Sequence, residues 1–233
     1  MNRVECTDPI GLARPGWMDM RHKFMPISVS LEDRPCLVVG GGLVALRKVE
    51  SLLDYETAIT VVAPEAHEKL EYHAERERIT LERREYRSPE AARYGLVISA
   101  TDDAALNARV HEDASGAGTL VNVVDDPPHC DFIFPAVVRR DCLTAAISTD
   151  GKAPFLSGHL RLVLENIFPE HWTRLMKLAA SFRNRVRSQW ADDPAKKDAC
   201  YAEFLEADWK TMLKESSEEE IEEELTRMLQ IPE

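Results

Sequence analysis

The chain has no run of 18 apolar residues, no C-x-x-C pair, no internal repeat and no excess of cations. Each absence removes a class of protein. Without a long apolar run there is no membrane-spanning helix, and the first 25 residues lack the continuous apolar core of a secretory signal. The expectation is a cytoplasmic protein. The five cysteines, Cys6, Cys36, Cys130, Cys142 and Cys200, are odd in number and follow no pairing pattern, so they read as free thiols of a reducing compartment. No His/Cys pair has zinc-site spacing, and no metal site is assigned. The formal net charge is −12, of which −9 falls in Asp192–Glu233, where 14 acidic residues meet 5 basic ones. With no Lys/Arg stripe the electrostatic footprint of nucleic-acid binding is missing.

What is present is enough for one sizeable domain or two small ones: 233 residues, 44% of them hydrophobic. The run Pro35 to Val39 leads into Gly40-Gly41-Gly42-Leu43-Val44-Ala45 and then into helical spacing at Ala45, Leu46, Val49, Leu52 and Leu53. That is a strand feeding a phosphate-binding turn. Gly40 and Gly42 are free to take backbone angles closed to other residues, main-chain N–H groups approach a pyrophosphate, and the helix directs its positive end there. Ala45 stands where a third glycine is usual, a position that mainly needs a small side chain.

Strands and helices go on alternating: a β-branched strand at Ala58 to Val62, a helix from Glu65 to Arg76, and a strand from Ile79 to Arg83. Ser88-Pro89-Glu90 reads as a capped helix start. A strand at Leu96 to Ala100, a helix at Asp103 to Ser115 and a strand at Leu120 to Val124 complete the pattern of a doubly wound parallel sheet, an α/β Rossmann-like fold. The second strand ends in Ala63-Pro64-Glu65, with no acid in its last position to accept from the ribose hydroxyls. Glu65, just beyond, reads equally as that acceptor or as an acid complementing a helix dipole, which leaves NAD and NADP both open on physical grounds.

From Asp131 the pattern changes. Phe132 to Val138 and Leu143 to Ser148 form two strand-like runs joined through Arg139-Arg140-Asp141-Cys142, a small β layer. Beyond Ala153 the chain reads helical: Leu156 to Ile167, then Glu170 to Trp190 with Trp172, Leu175, Leu178, Ala179, Phe182 and Val186 on one face, then a charged tail. The acid run Glu218 to Glu224 reads as a solvated helix face. The segments are an extension over 1–24, a dinucleotide-binding domain over 25–130, a β region over 131–152 and a helical domain over 153–233. Arg139, Arg140, Lys152 and Arg161, with His129 and His159 near in sequence, could meet an anionic small molecule, although each singly also suits a solvated face.

Three stretches combine: Val121-Asn122-Val123-Val124-Asp125-Asp126-Pro127, Cys130-Asp131-Phe132-Ile133-Phe134-Pro135-Ala136, and Ile147-Ser148-Thr149-Asp150-Gly151-Lys152-Ala153-Pro154. Together with Val38 to Gly42, Ala45-Leu46-Arg47-Lys48 and Ala100-Thr101-Asp102-Asp103, they resemble the precorrin-2 dehydrogenase family, whose members include sirohydrochlorin ferrochelatases. The resemblance covers about residues 24 to 190. It implies NAD-dependent oxidation of precorrin-2 to sirohydrochlorin, with ferrous iron inserted as a second substrate in bifunctional members. The implied architecture is a Rossmann domain, a small β dimerisation region and a helical domain, in a homodimer whose interface would suit the apolar run Phe132 to Val138. By matching motif positions, Gly40, Gly42, Leu43 and Val44 would sit at the pyrophosphate, Pro64 and Glu65 by the adenosine ribose, and Thr101 and Asp102 near the cofactor. Asp125 matches the family's functional aspartate, at the end of a sheet strand beside the cleft where such sheets hold ligands. Its bland alternative is a loop cap ahead of Pro127.

The substrate's ring of carboxylates would take Arg139, Arg140, Lys152 and Arg161 as partners, and His129 and His159 would be candidate iron guides. The family's Ser-Thr-Gly-Gly-Lys-Ser-Pro becomes Ser148 to Pro154 here, with Asp150 for a glycine and Ala153 for a serine. An added negative charge is unfavourable beside a polyanion unless Asp150 faces solvent or pairs with Lys152. The methyltransferase domain fused to some relatives is not seen, so uroporphyrinogen methylation is not expected. A non-catalytic NAD-responsive redox sensor is the alternative class; it would need neither Asp125 nor the cations. Another small-substrate dehydrogenase would be expected to lack the two later motifs together.

Overall fold

The structure, a computed structural model, describes residues 24–230, so nearly all of the proposed N-terminal extension, with Cys6, lies outside the described residues. The described residues form two compact units: one runs through Phe134 and takes in Asp150–Lys152, and the other comprises Pro135–Thr149 and the chain from Ala153 onward.

The first unit is built on five strands: β1 (Cys36–Val39), β2 (Ile59–Val62), β3 (Thr80–Glu82), β4 (Leu96–Ser99) and β5 (Leu120–Val123). All pair in parallel in the order β3-β2-β1-β4-β5. Three helices, α1 (Leu43–Leu52), α2 (Glu68–Glu75) and α3 (Ala104–Gly116), connect them. The strands read as continuous apolar runs because both faces are covered. Cys36, Val38, Ile59, Val61, Leu96 and Ile98 share one core with Leu46, Val49, Leu52 and Leu70. Leu37, Val39, Val62, Val97, Val121 and Val123 share the other with Val110 and Ala114 of α3. The side-chain alternation of a strand thus divides each apolar run between two layers.

Two elements depart from expectation. The helix expected from Glu65 begins at Glu68, because the backbone before it is used elsewhere: the His67 N–H donates to the Gly41 carbonyl at 2.8 Å, and His67 then caps α2 through Nδ1. The segment at Ser88-Pro89-Glu90 forms one 3-10 turn, Glu90–Arg93, and no α-helix. Its donors are claimed by side chains: Arg87 N–H bonds the buried Glu90 carboxylate at 2.6 Å, and Ala91 N–H bonds the Tyr86 hydroxyl at 3.1 Å. Gly95 N–H is already paired to Pro35, one residue ahead of β4, which leaves no room for a second turn. The Arg84 guanidinium forks onto Glu90 at 2.8 and 2.6 Å, and Tyr86 donates to Asp113 of α3 at 2.7 Å.

The second unit contains an antiparallel hairpin, β6 (Ala136–Arg140) and β7 (Leu143–Ile147), turned at Asp141 with φ +54°. Arg139 and Arg140 belong to the strand and not to its turn. The run Phe132 to Val138 is not one continuous strand: Phe132 and Phe134 pack against the first unit's core, and only its end enters β6. Aromatic surface outweighed chain continuity there.

Five helices follow: α4 (Pro154–Ile167), α5 (Trp172–Gln189), α6 (Pro194–Glu206), α7 (Trp209–Glu215) and α8 (Glu218–Arg227). Leu175, Phe182 and Val186 of α5 meet Cys200, Phe204, Trp209, Ile221 and Leu225 in a third core. Phe204 stacks on Phe182 at 5.1 Å, and Trp209 donates its indole N–H to the Phe204 carbonyl. The acidic run keeps most of its carboxylates in solvent, as the sequence suggests, with Glu218 82% and Glu222 63% exposed. Ile221 and Leu225 are buried, Glu218 and Glu222 pair with Arg174 and Arg185 of α5, and a Ser217/Glu220 capping box starts the helix. By contrast, α4 buries none of its residues.

Candidate functional site

The carboxyl edge of the parallel sheet gathers four turns of the first unit. They are laced together by main-chain bonds: Gly40 N–H to Val62, Ala100 N–H to Val39 and Val124 N–H to Ser99, at 2.8–3.0 Å. Topology therefore brings the ends of β1, β2, β4 and β5 to one rim.

The glycine turn is shaped by three different demands. Gly40 has φ +116°, and a Cβ there would stand 2.2 Å from the Ala100 carbonyl oxygen. Gly41 has an ordinary φ, but a Cβ would meet the Glu65 carbonyl oxygen at 2.0 Å. Gly42 meets nothing within 4 Å; it is the N-cap of α1, without a side-chain cap, so the first amides of that helix are left for a ligand. Gly41 was not singled out from the sequence, because the contact that requires it comes from a segment more than twenty residues on. Leu43 and Val44 are exposed beside the turn, and Pro64 and Glu65 are exposed at the end of β2. Such an open, uncapped, glycine-lined helix start fits a dinucleotide pyrophosphate.

Past β4, the Thr101 hydroxyl donates to Asn107 Oδ1 at 2.8 Å while Asn107 Nδ2 returns a bond to the Thr101 carbonyl at 2.9 Å. Ser99 donates to the same Oδ1. Thr101 is thus fixed against α3, which Asp103 caps, and Asp102 is left exposed.

Asp125 follows β5 in a turn closed by Asp126 N–H on the Val123 carbonyl, at φ +60°, a left-handed angle uncommon outside glycine. Its carboxylate is exposed and, among the described residues, takes no hydrogen bond or ion pair, so the loop-cap role is not its own. Its neighbours do the bracing. Asp131 accepts from Val121 N–H at 3.0 Å, Asn122 Nδ2 donates to the Phe132 carbonyl at 2.9 Å, and the Cys130 thiol donates to the Val123 carbonyl at 3.1 Å. Burial pushes the Cys130 thiol above its usual pKa, so it stays protonated as a strut. Asp126 holds His129 Nδ1 at 2.7 Å, and the His129 ring abuts that of His111.

Lys48, also unassigned from the sequence, reaches this loop from α1. Its ammonium lies 4.0 Å from the centroid of the Phe134 ring. Burial pushes its pKa below the usual lysine value, while the charge of Asp125 pulls the other way. The signal was available: position 48 lies three residues from Ala45 and four from Leu52, at the margin of the apolar stripe.

The four candidate substrate cations do not fall in one unit. Lys152 is exposed in the first; Arg139, Arg140 and Arg161 are in the second. Arg140 is 11% exposed, lies 3.5 Å from Glu170 and donates to the Arg139 carbonyl, and its Nε is buried with no partner among the described residues. Arg161 pairs with Glu165 one turn along α4. His129 and His159 likewise belong to different units, and no group of three metal-ligating side chains exists among the described residues. Asp150 sits at φ +50° before Gly151 and takes part in a further polar interaction.

A five-stranded parallel sheet with an uncapped glycine turn at its carboxyl edge defines a dinucleotide-binding domain of the Rossmann type. Residues 27–136, a little under half of the chain, match the family described as "Putative NAD(P)-binding". The chain is also homologous to siroheme synthases: 40% identical to that of Nitrosococcus oceani over 167 residues, covering 72% of this chain and 36% of the relative, and 43% identical to that of Methylococcus capsulatus over 164 residues, covering 70% and 35%. It thus spans about a third of the length of the curated relatives it matches. The solved structure of "SirC, precorrin-2 dehydrogenase" shares the fold, with a TM-score of 0.70 at 23% identity over 89% of this chain and all of that one. No helix among the described residues is long and apolar enough to cross a membrane.

Proposed function

We propose that the chain oxidises precorrin-2 to sirohydrochlorin with NAD in sirohaem biosynthesis, and that Asp125 is the base. The observation that carries this reading is the unpaired Asp125 carboxylate, held in a left-handed turn on the same rim as the bare start of α1. Gly40 and Gly42 let the backbone close on the pyrophosphate, the amides of Leu43 and Val44 bind it, Pro64 and Glu65 border the ribose, and Thr101 and Asp102 border the remainder of the cofactor. Held by these residues, a nicotinamide cofactor would supply the hydride acceptor. Asp125 takes the proton that the macrocycle loses with the hydride, so two hydrogens leave as hydride and proton. A carboxylate with no competing donor needs no rearrangement before it accepts. The same group is equipped to receive pyrrole N–H protons during insertion of ferrous iron, a second activity that we include in the proposal.

Lys152 is the cation in the Asp125 unit that we assign to a substrate carboxylate. Arg139, Arg140 and Arg161 are assigned the same chemistry, with Glu170 and Glu165 as the carboxylates that a substrate would replace at Arg140 and Arg161. We further propose a cytoplasmic homodimer closed over α4, where Phe155 is 80% exposed and Leu160, Leu162 and Ile167 are also bare.

The test is anaerobic incubation with precorrin-2 and NAD, following NADH and sirohydrochlorin absorbance, with Asp125→Ala in parallel and ferrous iron added second. Turnover falling about 10²- to 10⁴-fold in the variant, with NAD affinity unchanged, is expected for loss of a positioned base. Unchanged turnover in the variant refutes the role of Asp125, and no turnover by the parent chain that still binds NAD favours the sensor.

A further inference from the structure

We infer that Lys48 is a substrate-binding residue, which holds a carboxylate of the macrocycle beside Asp125. This rests on the reading of the substrate given above. Lys48 lies on α1, yet its ammonium is fixed over Phe134, and Phe134 belongs to the same loop after β5 as Asp125 and Cys130. In the strand order that loop is on the opposite side of β1 from β2, where the adenosine ribose is expected. The cation therefore serves the reacting side of the rim and not the adenosine side.

The second observation is its state. Lys48 is half-buried, and its ammonium rests on an aromatic face without an ion pair among the described residues. Lysines withdrawn from water are ordinarily paired, because an uncompensated charge is costly there. The effect of burial on Lys48 is the larger one, and the attraction of Asp125 offsets it only in part. An arriving carboxylate would complete the site. Arg47, its neighbour, is exposed and carries no such argument. A substrate edged with carboxylates suits the arrangement, with the ammonium anchoring one arm while Asp125 stays free to take the proton.

The experiment uses the full chain, with Lys48→Met, which keeps a flexible apolar stem over Phe134, and Lys48→Arg, which keeps the charge. Binding of sirohydrochlorin, read by its absorbance without turnover, is measured beside KM and kcat for precorrin-2, the Kd for NAD and the melting temperature. Lys48→Met is expected to weaken sirohydrochlorin binding and raise KM by about tenfold or more, the worth of one charge-assisted hydrogen bond, with NAD affinity and melting temperature unchanged. Lys48→Arg should recover most of that loss. Equal affinity in parent and Met variant overturns the inference, as does equal weakening in both variants with a lower melting temperature, which would make Lys48 a prop for Phe134. No sirohydrochlorin binding by the parent overturns it too. Lys48-dependent binding without turnover would sink the dehydrogenase reading alone, whereas turnover with a KM indifferent to Lys48 would sink only this inference.

Discussion

Alanine at each of the three consecutive glycines should give three different results, because each is glycine for a different reason. At Gly40 the substitution meets both a backbone oxygen 2.2 Å from the new Cβ and a φ of +116°. Overpacking costs about 1–3 kcal/mol and a disallowed backbone angle about 1–3 more, so about 3–4 kcal/mol is expected. For a chain of this size that lowers the melting temperature by about 10 °C. At Gly41 φ is ordinary and only steric contact applies, a Cβ standing 2.0 Å from the Glu65 carbonyl oxygen and 2.9 Å from Ala66 Cα, for about 2 kcal/mol. At Gly42 nothing is touched, φ is −81°, and the loss is that of a weak N-cap, about 0.5 kcal/mol. NAD binding reverses the severity per unit of stability: Gly42→Ala puts a methyl over the bare helix start and should weaken NAD about tenfold or more with little change in melting. Thermal melts by circular dichroism and NAD titration by calorimetry read both quantities. If Gly40→Ala melts like the parent, or Gly42→Ala loses as much stability as Gly40→Ala, the division of labour argued for the turn is wrong.

Other perturbations act on the supports. Burial would raise the Glu90 carboxyl, but Arg84 and the Arg87 amide outweigh it and hold its pKa below the usual value. Its contribution is thus present above the unfolded-state pKa and is lost as pH falls through the folded value. Glu90→Gln should cost about 3 kcal/mol at neutral pH and flatten the acid limb of a urea-stability profile. His73 is buried with Nδ1 unpartnered among the described residues, and burial first, then Arg78, lowers its pKa. The unfolded chain binds that proton more readily, so stability falls as pH drops below the ordinary histidine range, and His73→Leu should move the acid-unfolding midpoint to lower pH. In the helical unit, Phe182→Ala removes a side chain 1% exposed and stacked on Phe204, and should cost about 3–5 kcal/mol, with NAD affinity intact as the check that the damage is local.

Local signals in the sequence determined the repeating pattern. Apolar runs of four or five residues, Asp103 before a helical stretch, and the strand-to-glycine step at Val39-Gly40 each depend on nearby residues, so the parallel sheet, α1, α3 and the position of Asp125 at a strand end were legible there. The alternation of strands and helices obliges consecutive strands to lie parallel with helices between them. Where a donor was claimed from a distance, the reading failed: the turn at Glu90 obeys Arg84 and Tyr86, and α2 begins late because His67 serves Gly41. Phe132 and Phe134 were legible as apolar but not as inward-facing, since apolarity does not say which surface will cover it. The same limit hid Gly41, Lys48 and the bracing of the Asp125 loop by Asn122, Cys130 and Asp131. Their roles are contacts between residues from seven to eighty-six positions apart, and only tertiary structure brings such partners within the few ångströms over which packing and hydrogen bonds act.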